Sequence, residues 1–261
     1  MLIAERRRRI LEHVRLRGYA SFRDLAGVVG LSESTVRRDL RALAADGLLT
    51  TTRGGAGRLD AGERPLPEPV AVTDESDDPV LSARAAIATR AAALVEPGTA
   101  VLLGPGRSTY QLAGRLSAIQ QLTVVTNSVP VTTALLTAEN IDLVMVGGTL
   151  RRSINAFVGP LTEGSLQKLR GAQVFVSGEG VTVERGLTTP NVFAAATDMA
   201  LVAAAQQVVV LADHTKIGRD TMCQTVPTDR IDILITDRAA DPATLDALVA
   251  AGVEVLVADP A

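Results

Sequence analysis

The chain has 261 residues, with 26 Lys and Arg against 29 Asp and Glu, two His, one Cys, no Trp and 2% aromatic residues. That length suits a small domain plus one of ordinary size, while the single Cys223 excludes an internal disulfide. So few Cys and His make no recognisable metal set, so few aromatics argue against stacking platforms for single-stranded nucleic acid, and no apolar run approaches the ~20 residues of a membrane span.

The net charge of −3 hides a segregation. Residues 1–60 hold 12 Arg, no Lys and 7 acidic residues, a balance of +5, whereas the remainder holds 14 basic and 22 acidic residues, a balance of −8. A locally basic module drives counterion release on DNA whatever the total. No apolar signal segment follows the charged start, so a cytoplasmic protein is expected.

In chain order, the first predicted element is an amphipathic helix over about Ala4–Arg17, with Ile10, Leu11, Val14 and Leu16 on its apolar side. Arg6 to Arg9 within it reads either as a solvated helix end or as a phosphate contact. Ser21-Phe22-Arg23-Asp24 has the form of a capping box opening a short helix that ends near Val29. Gly30-Leu31-Ser32 then supplies a tight turn, with Gly30 free to take positive φ and Ser32 placed as the next N-cap.

The helix from Ser32 to Leu43 has two faces. Val36, Leu40 and Leu43 form an apolar stripe, and Ser34, Arg37, Arg38 and Arg41 form a polar one. Guanidinium forks and hydroxyls suit phosphates and guanine edges. Helix, glycine turn and basic helix make a helix-turn-helix. Gly47 ends the third helix, Leu48 to Thr52 is β-prone, and Arg53-Gly54-Gly55 reads as the turn of a β-wing. The candidate DNA-contacting residues are Ser21, Arg23, Ser32, Ser34, Thr35, Arg37, Arg38, Arg41 and Arg53.

These elements make a winged helix-turn-helix domain over residues 1–57. Residues 58–78, with Pro65, Pro67, Pro69 and Asp77-Asp78, lack periodicity and read as a linker. The second domain spans 79–261. Asp78-Pro79 resembles an N-cap followed by a helix-starting proline. The helix then runs through Ile87, Ala88, Ala91 and Leu94 to Glu96-Pro97-Gly98.

Beyond it, apolar runs at Ala100–Leu103, Leu122–Val125, Ile141–Val146, Val174–Val176, Val208–Leu211, Ile231–Ile235 and Val253–Val257 are mostly separated by stretches of helical spacing. Continuous Val/Ile/Leu strands with helical crossovers predict an α/β domain with a mostly parallel sheet covered on both faces.

Ligands of open α/β sheets sit outside the carboxyl ends of the strands. The residues there are Gly104-Pro105-Gly106-Arg107-Ser108-Thr109, Thr126-Asn127-Ser128, Gly147-Gly148, Ser177-Gly178-Glu179, Asp213-His214-Thr215-Lys216 and Thr236-Asp237. Gly104 to Thr109 lies between a strand and a helix. Its N–H groups and helix N-terminus can cradle an anion, with Arg107 adding charge and Ser108 and Thr109 adding donors. The alternative is a plain tight turn. The loop is not Gly-x-Gly-x-x-Gly, because Thr109 replaces the third glycine, and no acid follows the next strand, which disfavours a dinucleotide. No P-loop and no Gly-x-Ser-x-Gly elbow is present.

The combination resembles the DeoR family of bacterial transcriptional regulators over nearly the whole chain. Ser34-Thr35-Val36-Arg37-Arg38-Asp39-Leu40, Gly47-Leu48 and Gly54-Gly55-Ala56 look like that family's helix-turn-helix and wing. The strand-end motifs of Thr126-Asn127-Ser128, Gly147-Gly148, Asp213 to Lys216 and Thr236-Asp237 follow in its order. The resemblance implies a sugar-phosphate sensor domain with a fold similar to ribose-5-phosphate isomerase. The loop Gly106-Arg107-Ser108-Thr109 would take the phosphate, and Asn127, Glu179, Asp213 and Lys216 would line the sugar end.

The candidate effector residues are therefore Gly104, Gly106, Arg107, Ser108, Thr109, Thr126, Asn127, Ser128, Gly147, Gly148, Gly178, Glu179, Asp213 and Lys216. Three departures stand out. Arg107-Ser108 replaces the family's usual Thr-Thr, a basic residue common in the wing is missing before Gly54-Gly55, and Asp198 stands where the family often has Lys and the isomerases have a Glu nearby.

The expected function is a DNA-binding regulator, a repressor of carbohydrate metabolism genes controlled by a phosphorylated sugar or polyol. Its expected partners are double-stranded operator DNA, that effector and further copies of itself, because two recognition helices must reach successive major grooves. No catalytic residues, metal or cofactor are assigned. The alternatives are a sugar-phosphate isomerase-like enzyme with a DNA-binding appendage and a constitutive DNA binder with a degenerate sensor.

Overall fold

The computed structural model describes residues 3–17, 19–45, 49–52, 54–57 and 80–259. The expectations for Gly47, Leu48, Arg53, the segment 58–78 and Asp78-Pro79 lie outside them. The chain divides into two compact units, Met1–Thr73 and Asp74–Ala261.

The first unit runs α1 (Ile3–Arg17), β1 (Tyr19–Ser21), α2 (Phe22–Val29), α3 (Glu33–Ala45), β2 (Thr50–Thr52) and β3 (Gly55–Gly57). Ser21 caps α2 and closes the expected capping box with Asp24, and Gly30 ends the helix at φ 67°. The left-handed conformation there is what glycine supplies without a Cβ penalty. Ile10, Val14, Leu25, Val29, Val36, Leu40 and Leu43 form the core with Ala20, Leu49 and Ala56.

The wing differs from expectation by one strand. It is a three-stranded antiparallel sheet in the order β1-β3-β2, with Ala20 opposite Ala56 and Thr51 opposite Ala56 on the other side. Strand β1 is three residues long and ends on the cap of α2, so it leaves no alternation to read. Gly55 is required by packing, since a Cβ there would stand 2.1 Å from the Ala20 carbonyl oxygen and 2.7 Å from Ser21 Cα.

The second unit opens with α4 (Leu81–Ala92), β4 (Ala100–Leu103), α5 (Arg107–Leu116), β5 (Leu122–Thr126), α6 (Val129–Leu135) and β6 (Ile141–Met145). A hairpin of β7 (Thr149–Arg151) and β8 (Ala156–Val158) follows, then α7 (Pro160–Leu166) and β9 (Gly171–Val176). Next come β10 (Gly180–Thr182), β11 (Gly186–Thr189), α8 (Val192–Ala203), β12 (Ala205–Leu211), β13 (Cys223–Val226), β14 (Ile233–Asp237), α9 (Pro242–Ala250) and β15 (Glu254–Ala258).

All seven apolar runs become strands of one parallel sheet in the order β15-β14-β12-β9-β4-β5-β6. Its two faces carry two apolar clusters. Ile87, Leu112 and Leu116 pack with Leu103, Val124 and Phe175 in one, and Leu166, Leu201 and Leu248 pack with Leu102, Val174 and Val210 in the other. Sequence reading did not anticipate the β7-β8 hairpin or the antiparallel sheet β10-β11-β13. These strands of three or four residues carry too little apolar pattern to announce themselves.

The order has one reversal. From β4 the chain steps outward through β5 to β6, then returns to β9 on the opposite side of β4. The carboxyl ends of β4 and β9 therefore flank the switch point, where doubly wound sheets open a crevice.

Candidate functional site

Helix α3 presents the first candidate surface. Ser32, Ser34, Arg37, Arg38 and Arg41 are exposed and Thr35 is half-buried. The Ser32 carbonyl accepts from Thr35 and Val36 N–H, which makes Ser32 the entry to the helix. Its hydroxyl lies 2.9 Å from that of Ser34 and 3.1 Å from that of Thr35, a cluster of three hydroxyls at the start of α3. Arg37 sits 4.1 Å over the Phe22 ring and 3.7 Å from Glu33 Oε2, so it is braced against α2 and its own first turn. Arg23 is exposed on α2, whereas the Ser21 hydroxyl is engaged with Asp24, donating to Oδ2 at 2.7 Å and accepting its N–H at 3.1 Å.

Sequence reasoning missed Asp39. It stands three residues after Val36 and four before Leu43, on the buried stripe of α3, and is 2% exposed. Arg6 donates to both its oxygens, at 2.5 and 3.0 Å, and Arg7 donates at 3.3 Å. Burial pushes this carboxyl up, but the hydrogen bonds and charges of Arg6 and Arg7 outweigh it and hold the group below its ordinary range. The first half of the basic run in α1 is therefore an internal tie to α3. An acid on an otherwise apolar helical stripe was the signal available.

The second surface is the carboxyl edge of the parallel sheet. Gly104 N–H donates to the Phe175 carbonyl at 2.9 Å, which locks the β4 exit beside β9. Gly106, at φ 154°, precedes α5, and a Cβ on it would lie 3.0 Å from Ser177 Cβ. The loops after β4 and β9 therefore touch. Arg107 is exposed at the first position of α5, while Ser108 and Thr109 are buried in its first turn. Thr109 hydroxyl donates to the Gly106 carbonyl at 3.0 Å.

Beside β4, the end of β5 carries Asn127, fully buried. Its amide donates to the Phe157 carbonyl at 2.8 Å, and its Oδ1 has no hydrogen-bond partner. Thr126 hydroxyl donates to the Leu103 carbonyl at 2.7 Å and accepts Ser128 N–H, and Ser128 caps α6. Gly147 accepts the Thr162 hydroxyl at 3.0 Å, and a Cβ on Gly148 would meet the same hydroxyl at 2.0 Å. Gly178 is needed where β11 crosses, since a Cβ would lie 2.8 Å from both Leu187 Cδ1 and the Thr188 carbonyl.

On the other side of β9, Asp213 follows β12 and is 2% exposed. It accepts from Arg84 Nε at 3.0 Å, from Thr215 N–H at 3.1 Å and from the Thr215 hydroxyl. Burial raises its pKa, but the Thr215 hydrogen bond and the Arg84 and Lys216 charges prevail and hold it below the usual carboxylate range. Lys216 pairs with Glu179 across the β12 and β9 exits. His214, which the sequence reading quoted without a role, is gripped twice by Asp237, N–H to Oδ1 at 2.7 Å and Nδ1 to Oδ2 at 2.8 Å. The expected effector residues thus line neighbouring strand ends, although several hydroxyls and glycines there already serve the backbone. Among the described residues no group of three metal-ligating side chains occurs, and no helix is long and apolar enough to cross a membrane.

A wing-bearing helix-turn-helix and a separate parallel α/β unit with a polar switch point define a two-part DNA-binding regulator. Residues 6–61 match the DeoR-like helix-turn-helix domain and residues 81–238 match the DeoR C terminal sensor domain. The chain is 34% identical to the HTH-type transcriptional regulator GlpR of Haloferax volcanii over 98% of both chains. It is 33% identical to the lactose phosphotransferase system repressor of Lactococcus lactis over 91% of this chain and 92% of that one. It is 30% identical to the HTH-type transcriptional regulator UlaR of Shigella flexneri over 98% and 99%. The chain belongs to the DeoR family of transcriptional regulators. Among solved structures it is similar to ribose 5-phosphate isomerase A from Methanocaldococcus jannaschii, at 17% identity over 51% of this chain and 53% of that one, with a TM-score of 0.39. That likeness is too slight to carry weight beside the strand order.

Proposed function

We propose that this DeoR-family regulator is a repressor of carbohydrate metabolism genes whose hold on operator DNA is relaxed by a phosphorylated sugar or polyol. The observation that carries the DNA half is α3, with three clustered hydroxyls at its start and Arg38 and Arg41 exposed on successive turns. Arg37, braced by Phe22, holds a fixed orientation suited to reading a base or phosphate. Arg23, exposed on α2, extends the contact surface, and Ser21 and Arg53 join it on the sequence pattern alone. Residues 1–57 form the DNA-binding domain, 58–78 the linker and 79–261 the sensor.

The effector half rests on the touching loops after β4 and β9. Gly106, Arg107, Ser108 and Thr109 receive the phosphate at the N-terminus of α5, where helix dipole and N–H groups favour an anion, and Gly104, tied to Phe175, sets the course of the loop. Asn127, Gly178, Glu179 and Lys216 surround the carbon skeleton. Thr126, Ser128, Gly147, Gly148 and Asp213 hold the edge in shape. The relatives named for a lactose phosphotransferase system and as GlpR and UlaR support a sugar-linked ligand. The protein works as a homo-oligomer in the cytoplasm, with paired helices on successive major grooves.

The chain acts by binding and not by catalysis. Asp213 is fixed by Arg84 and Thr215, and Lys216 is paired with Glu179, so the three strand-end groups that an isomerase would draw on are already engaged. No turnover of ribose 5-phosphate is expected in a coupled assay. The DNA half is tested by Arg38→Ala and Arg41→Ala in salt-resolved gel shifts against duplexes recovered by in vitro selection. Each is expected to weaken binding and to reduce the salt slope by about 1. Unchanged affinity and slope in both would refute the contact surface.

A further inference from the structure

Helix α8 runs antiparallel to β9, because the Ala204 carbonyl at its C-terminal end accepts Gly171 N–H, at the start of the strand, at 2.8 Å. Ala194, Asp198, Leu201 and Val202 lie on its buried face. Leu201 reaches the β4 exit, since a Cβ on Gly104 would stand 3.6 Å from Leu201 Cδ1 and 3.4 Å from Val176 Cγ1. Asp198 is one turn nearer the helix N-terminus on the same stripe, about 4.5 Å further along the axis. That turn carries it toward the switch point beyond the ends of β4 and β9.

Asp198 is 6% exposed, and its carboxyl makes no hydrogen bond or ion pair among the described residues. Its neighbour Thr197 is tied to Gly159 N–H and Glu163. Burial pushes Asp198 up to about 8, so near neutral pH it keeps its proton and is a donor. Its oxygens are not sealed from solvent as Asn127 Oδ1 is, so a ligand can reach them, while the fold itself gives them no partner. The carboxyl edge of the sheet holds an unmatched acceptor of its own, the fully buried Asn127 Oδ1 after β5. A hydroxyl can accept from one such group and donate to another.

We infer that Asp198 donates a hydrogen bond to an oxygen on the carbon skeleton of the effector, a hydroxyl or carbonyl, while the phosphate lies at Gly106–Thr109. This rests on the effector site proposed above. It makes Asp198 a residue that selects a sugar or polyol phosphate over bare phosphate.

The test uses the full-length protein and its Asp198→Asn and Asp198→Leu variants at pH 7. Titration calorimetry is run with inorganic phosphate and with a panel of pentose, hexose and polyol phosphates. For the tightest panel member, Asp198→Asn, which retains an N–H donor, is expected within about threefold of the parent. Asp198→Leu is expected to lose about tenfold or more, with its affinity for inorganic phosphate and its circular dichroism unchanged. Undiminished binding by Asp198→Leu would overturn the inference. Equal loss in both variants would show that a carboxylate is what binds, and would overturn the donor assignment. If neither free nor esterified phosphate binds the parent protein, the effector site itself fails and this inference falls with it.

Discussion

Two buried aspartates show how environment decides what a side chain does. Asp39 is ionised because Arg6 and Arg7 grip it from α1, and that tie fixes the helix that carries Arg38 and Arg41. Asp198 has no such partner, and burial alone raises it to about 8. A carboxyl with a raised native pKa stays protonated when folded and releases its proton when unfolded. Stability therefore falls by up to about 1.4 kcal/mol per pH unit between the unfolded value near 4 and the native value, and is flat above it. Asp198→Asn removes that dependence. Its melting temperature is expected to exceed the parent's by roughly 5 °C or more at pH 8 beyond any gain at pH 5. An equal gain at both values, in scanning calorimetry, would show that the parent carboxyl does not titrate in this window. Residue type was legible in both cases, but the partner was not. Asp39 meets arginines 32 and 33 positions away, and Asp213 meets one 129 positions away.

At the scale of elements, the readable signals were those with a period. The capping box before α2, the glycine after it and the two faces of α3 follow from local spacing. So do the seven strands of the parallel sheet, whose burial on both faces makes them continuous apolar runs. The wing was half legible, because β1 has three residues and no pattern. Its place is set by Gly55, where β3 comes against Ala20 and Ser21. Gly55→Ala drives a Cβ into the Ala20 carbonyl and is expected to break the β1-β3 pairing. Differential scanning calorimetry is expected to show a transition of the first unit lowered by about 5–10 °C, with that of the second unmoved, and DNA binding reduced with it. An unshifted first transition would mean that the wing absorbs the methyl group.

At the scale of the whole molecule, regulation requires that effector and DNA binding share one free-energy difference between two states. Arg107, exposed at the head of α5, belongs to the effector side of that coupling. Arg107→Ala is expected to keep DNA affinity within about threefold and to lose the release of DNA by sugar phosphates. A gel-shift series in which the variant still releases DNA at the parent's ligand concentration would remove Arg107 from the site. The strand-end positions of that site were legible as a set, because the carboxyl edge of an α/β sheet is where ligands collect. Their individual duties were not. Thr126 and Thr109 donate to main-chain carbonyls, and Gly148 and Gly178 make room for neighbouring chain, which a linear motif does not distinguish from ligand contact.

The sequence by itself determined the helix-turn-helix, the run of parallel strands and the polar character of their carboxyl ends. Each of these is written in periods of 3.6 or 2, or in the residue that stops a strand. Tertiary structure alone decided the strand order that puts the switch point between β4 and β9, the capture of Arg6 and Arg7 by Asp39, and the burial of Asp198 without a partner. Those outcomes depend on which distant segments pack together, and hydrogen bonding and desolvation act on neighbours in space, whatever their separation along the chain.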